Sequence, residues 1–455
     1  MTPSQATDLG ATDVTAPAYF TELADVVCQS GTGIDRCTLW LAAESSQFIR
    51  FNRGAVRQAT QVEQAHATVA VVRQARRMES RVSLSGNVAA DCQRLLAERA
   101  ELVDALAHIP DDPYLLLPGS PTHSHRHDRG ELPPPGALVR EVSEAARGLD
   151  FVGFYAGGPV VRAFADSLGS RHWHHVQAFH LEWCLYLQAD RAVKCSYAGS
   201  HWDTAEFARR MAEAASRLPL LGLSPKSLTP GAYRAYFAPE AMAELLTVLG
   251  WSGFGLKEQR TGTSSLARLA AGDAALHPAI CLSEDTVRGL SPAFTPEGFV
   301  RPATVPLVTA GRVAGTLNSP RSAREFGVEA NGANEREAPE SLHLAAGDLP
   351  ATTALEALGT GLLVTNLWYL NYSDRLACRM TGMTRFACLW VENGRPVAPL
   401  GVMRFDDSFL RMFGAGLLAL TRETEQIVDG STYQARQLGA IATPGALVEG
   451  WRLTL

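Results

Sequence analysis

The chain has 455 residues, 46% hydrophobic and 19% charged, which is long enough for two or more domains built around sizeable cores. A formal net charge of −6 excludes a mainly electrostatic grip on nucleic acid or on an anionic membrane. No window approaches the roughly 18–20 consecutive apolar residues of a membrane span.

The opening MTPSQATDLGATDVTAP lacks a cationic start followed by an apolar run, so no secretory signal and a cytoplasmic location are expected. The cysteines at 28, 37, 92, 184, 195, 281, 378 and 388 form no CxxC pair, which predicts reduced thiols rather than a disulfide frame or a structural zinc site. Cys37 to Val56 alternates apolar and polar residues and predicts strands on either side of a Ser45-Ser46 turn. The apolar spacing of Gln58 to Ser80 and of Val88 to His108 predicts two amphipathic helices, an α/β opening. His108 to Gly136 holds seven prolines and a His-Ser-His-Arg-His-Asp tract, the composition of an exposed loop at 108–136.

A short helix near Ala137 to Arg147 follows, then strands at Phe151 to Ala156, His174 to Leu187 and Val193 to Tyr197. On the second of these, Val176, Ala178, His180, Glu182 and Cys184 share one face, opposite Phe179, Leu181, Trp183 and Leu185. A helix from Thr204 to Arg217 leads into the Pro/Gly/Ser-rich stretch Leu220 to Gly231, which divides the chain into domains at 1–225 and 226–455. Pro239 suits the first turn of a helix reaching Leu249, because its missing N–H would be unpaired there anyway. The remainder is rich in Gly, Pro and short β-branched or aromatic runs. The predicted fold class is an α/β N-terminal domain followed by a mainly β C-terminal domain.

Several stretches are too specific for generic globular sequence. They are Phe48 to Gln58 (FIRFNRGAVRQ), Tyr236 to Leu246 (YFAPEAMAELL), Thr381 to Phe386 (TGMTRF), the Val391-Glu392-Asn393-Gly394 turn, and Pro399. In these stretches and their order along the chain, the sequence resembles the TldD/PmbA family. That resemblance implies zinc peptidases whose ligands come from a helical HExxxH motif, with a further ligand from the C-terminal domain. Two imidazoles on one helical face hold the ion and the adjacent glutamate takes the proton from its water. The motif is expected between Ala241 and Leu266, yet no histidine occurs between His201 and His277, and none in the chain precedes a glutamate. The chain therefore resembles the PmbA (TldE) type. The resemblance implies no catalytic residue and no metal ligand of its own, zinc on a TldD-like metallopeptidase partner subunit, and peptide substrates. Glu258, inside the empty window, reads as a surface carboxylate.

Other chemistry is poorly supported. His174 and His180 share a strand face with Glu182 but lie roughly 20 Å apart along it, too far to share one ion. The cluster His172, His174, His175 and His180 reads as a polar strand face lining a cavity or a subunit contact. His123, His125 and His127 alternate along the Pro-rich loop and suit adventitious metal binding. Asp406 and Asp407 are sequence neighbours that point to opposite faces of a strand, and no GxSxG, GxxxxGK[ST] or GxGxxG occurs. The candidate substrate-binding residues are Arg385, Arg379 and Tyr372 in the Asn366 to Asp407 stretch and Arg50 near the N-terminus, cations and amphipathic rings of the types that hold peptide carbonyls and carboxylates. The opposing possibility is that the aromatics are core and the arginines pair with Asp374, Asp406 or Glu392. Two rival functions remain open: a stand-alone, non-catalytic binding or regulatory protein, and a hydrolase with a metal site around His172 to His180.

Overall fold

The structure, a computed structural model, describes residues 13–31 and 33–454; most of the stretch read for a secretory signal lies outside them. Two sheets carry the chain. The first holds β1 (Arg36–Asn52), β2 (Ala55–Arg73), β3 (Arg76–Ser83), β4 (His123–Asp128), β5 (Asp150–Asp166), β6 (Arg171–Gln188) and β7 (Arg191–Gly199). Its order is β3-β2-β1-β5-β6-β4, with β7 also on β6. Helices α1 (Pro17–Val27), α2 (Val88–Ala105), α3 (Pro135–Ala145) and α4 (Thr204–Leu221) pack around it.

Three sequence expectations need correction here. Gln58 to Ser80 is no helix but most of a long hairpin, β2 and β3, turned at Gln74, which adopts a left-handed backbone (φ 57°). The buried positions Ala65, Ala67, Val69 and Val71 have a period of two, but the first half of β2 is exposed and polar, so the strand signal is diluted. The Ser45-Ser46 turn is also absent, since β1 runs straight through these residues and pairs with β2 along its whole length. What breaks there is the ladder to β5, which skips from Glu44↔Val160 to Gln47↔Gly157 around Gly158. Gly158 has φ +134°, and a Cβ on it would meet Ser45 O at 2.2 Å, so no other residue fits this bulge. Finally, the His tract is not loop but β4, in parallel register with β6 from His123↔Arg171 to Asp128↔Val176.

The helices need little tertiary help to start. Asn87 caps α2 by accepting from Ala90 N–H at 3.0 Å, and Asp203 caps α4 by accepting from Ala205 N–H at 2.8 Å.

The second sheet has thirteen strands. They are β8 (Gly231–Phe237), β9 (Leu282–Asp285), β10 (Thr304–Thr309), β11 (Arg312–Val313), β12 (Ser341–Leu344), β13 (Gly361–Val364), β14 (Asn366–Asp374), β15 (Arg379–Arg385), β16 (Leu389–Glu392), β17 (Arg395–Pro399), β18 (Arg404–Ser408), β19 (Leu417–Val428) and β20 (Ala440–Leu453). Helix α5 (Pro239–Gly250) follows β8 at once and is almost wholly buried, packing Met242, Leu245, Leu246 and Leu249 with Phe237, Phe405 and Trp451. The α/β and mainly β character of the two halves is as predicted. Among the described residues no helix is long and apolar enough to cross a membrane.

A loop of the second half locks onto the first sheet. Arg436, 5% exposed, donates to Gly158 O at 2.9 Å and Ala178 O at 2.6 Å, while its own N–H reaches Glu44 Oε2 at 3.3 Å. The carbonyl freed by the Gly158 bulge thus receives a charge-assisted bond.

Candidate functional site

Strand register builds one wall of the site. Across β1, β5, β6 and β7 the pairing sets Arg50, Phe154, Glu182 and Ser196 in one row and Asn52, Val152, Cys184 and Lys194 in the next. Because side chains alternate along each strand, both rows share a face. A concavity of about 560 Å³ lies there, lined by Arg50, Phe154, Glu182 and Tyr186. A second cavity of about 640 Å³ lies between β7 and α4 on one side and the first turn of α5, the β13–β14 junction and β19 on the other. The two are joined by an ion pair, since Lys194 borders the larger cavity, Glu182 the smaller, and their charged atoms are 2.7 Å apart.

The larger cavity is strongly charged. Arg210 bonds Glu206 at 2.6 Å and Glu425 at 2.8 Å, and Arg209 bonds Glu206 at 2.8 Å and Glu213 at 3.1 Å. Arg217 pairs with Glu213. Glu240 emerges from the first turn of α5 into this space, and burial, reinforced by the Glu425 carboxylate, pushes its pKa up to about 7. One turn later Glu244 is pushed up to about 8 by burial, although the Leu367 N–H and Lys194 favour its charged form. Two carboxyls that hold protons near neutrality, one helical turn apart, can exchange protons or donate hydrogen bonds. Thiols are ill suited to attack here: burial raises Cys195 to about 12 and Cys388 to about 11.

Of the sequence candidates, Arg50 lines the smaller cavity, while Arg385 lies by the β6–β7 turn and lines neither cavity. The Arg385 guanidinium sits over Trp368 at 5.0 Å and Phe386 at 5.8 Å, with a loose 3.7 Å pair to the exposed Asp190 on the β6–β7 turn. Arg50 lies 5.4 Å from the Phe154 ring centroid. The other two are engaged by the fold. Arg379 pairs with Asp406 at 2.9 Å, and the Tyr372 hydroxyl bonds Val248 O at 2.9 Å and Ser265 Oγ at 3.0 Å. Asp407, on the opposite face from Asp406, pairs with Arg411.

The histidines on β6 are also engaged. His172 bonds Thr122 Oγ1 at 3.0 Å and Ser124 Oγ at 2.7 Å, His174 reaches Leu290 O at 2.9 Å, and burial lowers these two to about 4 and about 3. Among the described residues no three His, Cys, Asp or Glu are placed to hold a metal ion. Glu258 is half-buried, and its carbonyl accepts from Thr263 and Ser264.

Sequence reasoning missed Glu240 and Glu244. The signal was present, two glutamates spaced i and i+4 in the otherwise apolar run AMAELL and its entry, but the search for histidine from Ala241 onward passed over them.

Comparison with known proteins bears on this geometry. The family model described as the PmbA/TldA metallopeptidase C-terminal domain matches residues 230–454. Comparison with curated protein sequences gives no match. TldE from Thermococcus kodakarensis superposes with a TM-score of 0.78 at 13% identity, covering 96% of this chain and 100% of that one. A Thermotoga maritima protein described as a candidate modulator of a DNA gyrase gives a TM-score of 0.73 at 14% identity, covering 96% and 99%. A Bacteroides thetaiotaomicron protein of like description gives 0.73 at 13%, covering 96% and 98%. At such identities these likenesses speak for the fold alone. With the family's C-terminal domain matched over residues 230–454 and the fold shared over nearly its whole length, the chain belongs to the TldD/PmbA family.

Proposed function

We propose that this chain is the zinc-free subunit of a TldD/PmbA-type metallopeptidase complex, pairing with an HExxxH-bearing TldD-like subunit to act on unfolded or small peptides. The observation that carries this reading is the first turn of α5. If the HExxxH frame starts at Pro239, its glutamate falls on Glu240 and its two imidazole positions fall on Pro239 and Glu244. The helix, its first-turn glutamate and a cavity beside it are present, while neither position can supply the neutral nitrogen that zinc prefers. The likeness to a structure named TldE supports the same assignment. A division of the chain at 225/226, zinc confined to the partner, and a cytoplasmic location belong to this proposal.

The test is co-expression with an HExxxH homologue from the same genome. The expected result is a complex with peptidase activity lost to chelators, while the isolated chain keeps no stoichiometric zinc and cleaves nothing. Separate elution of the two proteins at micromolar concentration, or a chelator-sensitive peptidase activity of the pure chain, overturns the proposal.

A further inference from the structure

Half of one long strand has no neighbour on its outer side. β3 pairs with β2 only from His66 to Arg73, and Ala65 O takes the Leu84 N–H at 2.9 Å. Among the described residues no strand pairs with the outer edge of β2 from Ala55 to Gln64, and residues 55–61 and Glu63 are exposed. The Ala65 carbonyl points outward, and the register with β1 is unbroken from Ala65 to Gln58. Backbone direction alternates along it, so Ala59, Gln61 and Glu63 also turn their N–H and C=O groups outward. Sheets commonly blunt such an edge with lysine, proline or a covering segment, yet AVRQATQVEQ holds neither lysine nor proline.

The two ends of this edge carry opposite charges. Glu63 stands at one end, accepting only from neutral donors, Gln61 at 2.8 Å and Ser45 at 3.5 Å. At the other, Arg50 pairs with Gln58 and Phe51 with Val56, which leaves Arg57 as the extra residue of a bulge. Arg57 and Gln58 therefore both border the concavity of about 560 Å³ that Arg50 and Phe154 line. Its acid, Glu182, is taken by Lys194, while among the described residues Arg50 and Arg57 have no ion-pair partner.

We propose that β2 takes a short extended peptide as an added antiparallel strand along Ala59 to Glu63, its C-terminal carboxylate captured by Arg57 and Arg50 at the concavity. Backbone pairing supplies affinity without reading sequence, and the charges set the direction. A peptide running against β2 ends at Arg57 and brings a cationic start towards Glu63. Its last side chain then meets Val152, Phe154 and Tyr186, a wall suited to an apolar residue. The choice of a short peptide as occupant rests on the function proposed above; the free edge and its charge polarity stand without it.

Fluorescence anisotropy on the full-length protein tests it with fluorescein-tagged Lys-Thr-Val-Thr-Val-Phe, its C-terminal amide, and versions N-methylated at successive backbone amides. Amidation is expected to weaken binding about tenfold or more, as for loss of a charge-assisted hydrogen bond. N-methylation is expected to weaken it at alternate positions only, because every second N–H of an added strand faces away from β2. Arg57→Gln, at an exposed site, is expected to erase the preference for the free acid with the melting temperature unchanged. Equal binding of acid and amide, N-methylation effects without alternation, or no binding overturns the proposal, and these readings need no variant to fold. So does occupation of the edge by a second copy, seen as a dimer in sedimentation that Gln61→Pro, which removes an outward N–H, abolishes. Pairing with the HExxxH homologue is scored on the same preparation. Carboxylate preference without pairing sinks the subunit reading alone, and pairing without that preference sinks this site alone.

Discussion

The Arg385 guanidinium lies 5.0 Å from the centroid of the Trp368 ring, on a hairpin from the second sheet that closes over the β6–β7 turn of the first. Its one ion pair among the described residues, to Asp190 at 3.7 Å, is long and involves a carboxylate that is 68% exposed, so it adds little stability. A cation resting near aromatic rings and weakly paired is available to a peptide carbonyl or carboxylate.

Arg385→Ala is accordingly expected to lower kcat/KM of the reconstituted complex by about 1.5–3 kcal/mol while leaving its melting temperature nearly unchanged. A lowered melting temperature with intact kcat/KM rejects the substrate role.

Tyr372→Phe and Arg379→Ala are expected to behave in the opposite way. Tyr372 loses hydrogen bonds to Val248 O and Ser265 Oγ, which leaves those acceptors short and destabilises the chain by about 1–2 kcal/mol. Arg379 loses a half-exposed pair with Asp406, at about 1 kcal/mol or less. Urea denaturation measures both, and turnover by the complex is expected to be normal once the variants are folded.

Arg436→Ala tests the lock between the halves. The variant strands Gly158 O and Ala178 O and deprives Glu44 of a buried cationic neighbour, for an expected loss of about 2–4 kcal/mol. Hydrogen exchange is expected to speed up locally in β1, β5 and β6, and uniform protection there would contradict a locking role.

The buried carboxyls predict a pH dependence whose sign can be worked out. Glu244 has a folded-state pKa of about 8 and an ordinary unfolded value of 4.5, so between these limits the folded chain binds more protons than the unfolded one. Its contribution is fully present below the unfolded value and declines as pH rises towards 8. Glu244→Gln keeps an acceptor for the Leu367 N–H without the charge. The melting-temperature difference between variant and native protein is therefore expected to grow in the variant's favour from about pH 5 to about pH 8. A constant difference across that range would mean that Glu244 stays ionised in the fold.

Some of this was readable from the residues alone. The helices α2, α4 and α5 were, because helical hydrogen bonds join residues four apart and the caps Asn87 and Asp203 and the first-turn Pro239 sit beside the bonds they complete. So were the β-rich second half and the lack of an imidazole pair near Pro239.

The long hairpin β2–β3, the edge strand β4 and the two protonated glutamates were not. A strand's hydrogen bonds are made by whichever chain lies beside it. Polar Gln58 to Gln64 become strand because β1 supplies every partner, and His123 to Asp128 because β6 offers an open edge. The chemistry of Glu240 is likewise decided at a distance. Its charge is disfavoured by burial and by Glu425 on β19, so the sequence determined that a glutamate would stand in the first turn of α5, and only the packing around it, with Glu425 from far along the chain, decided that it would hold a proton.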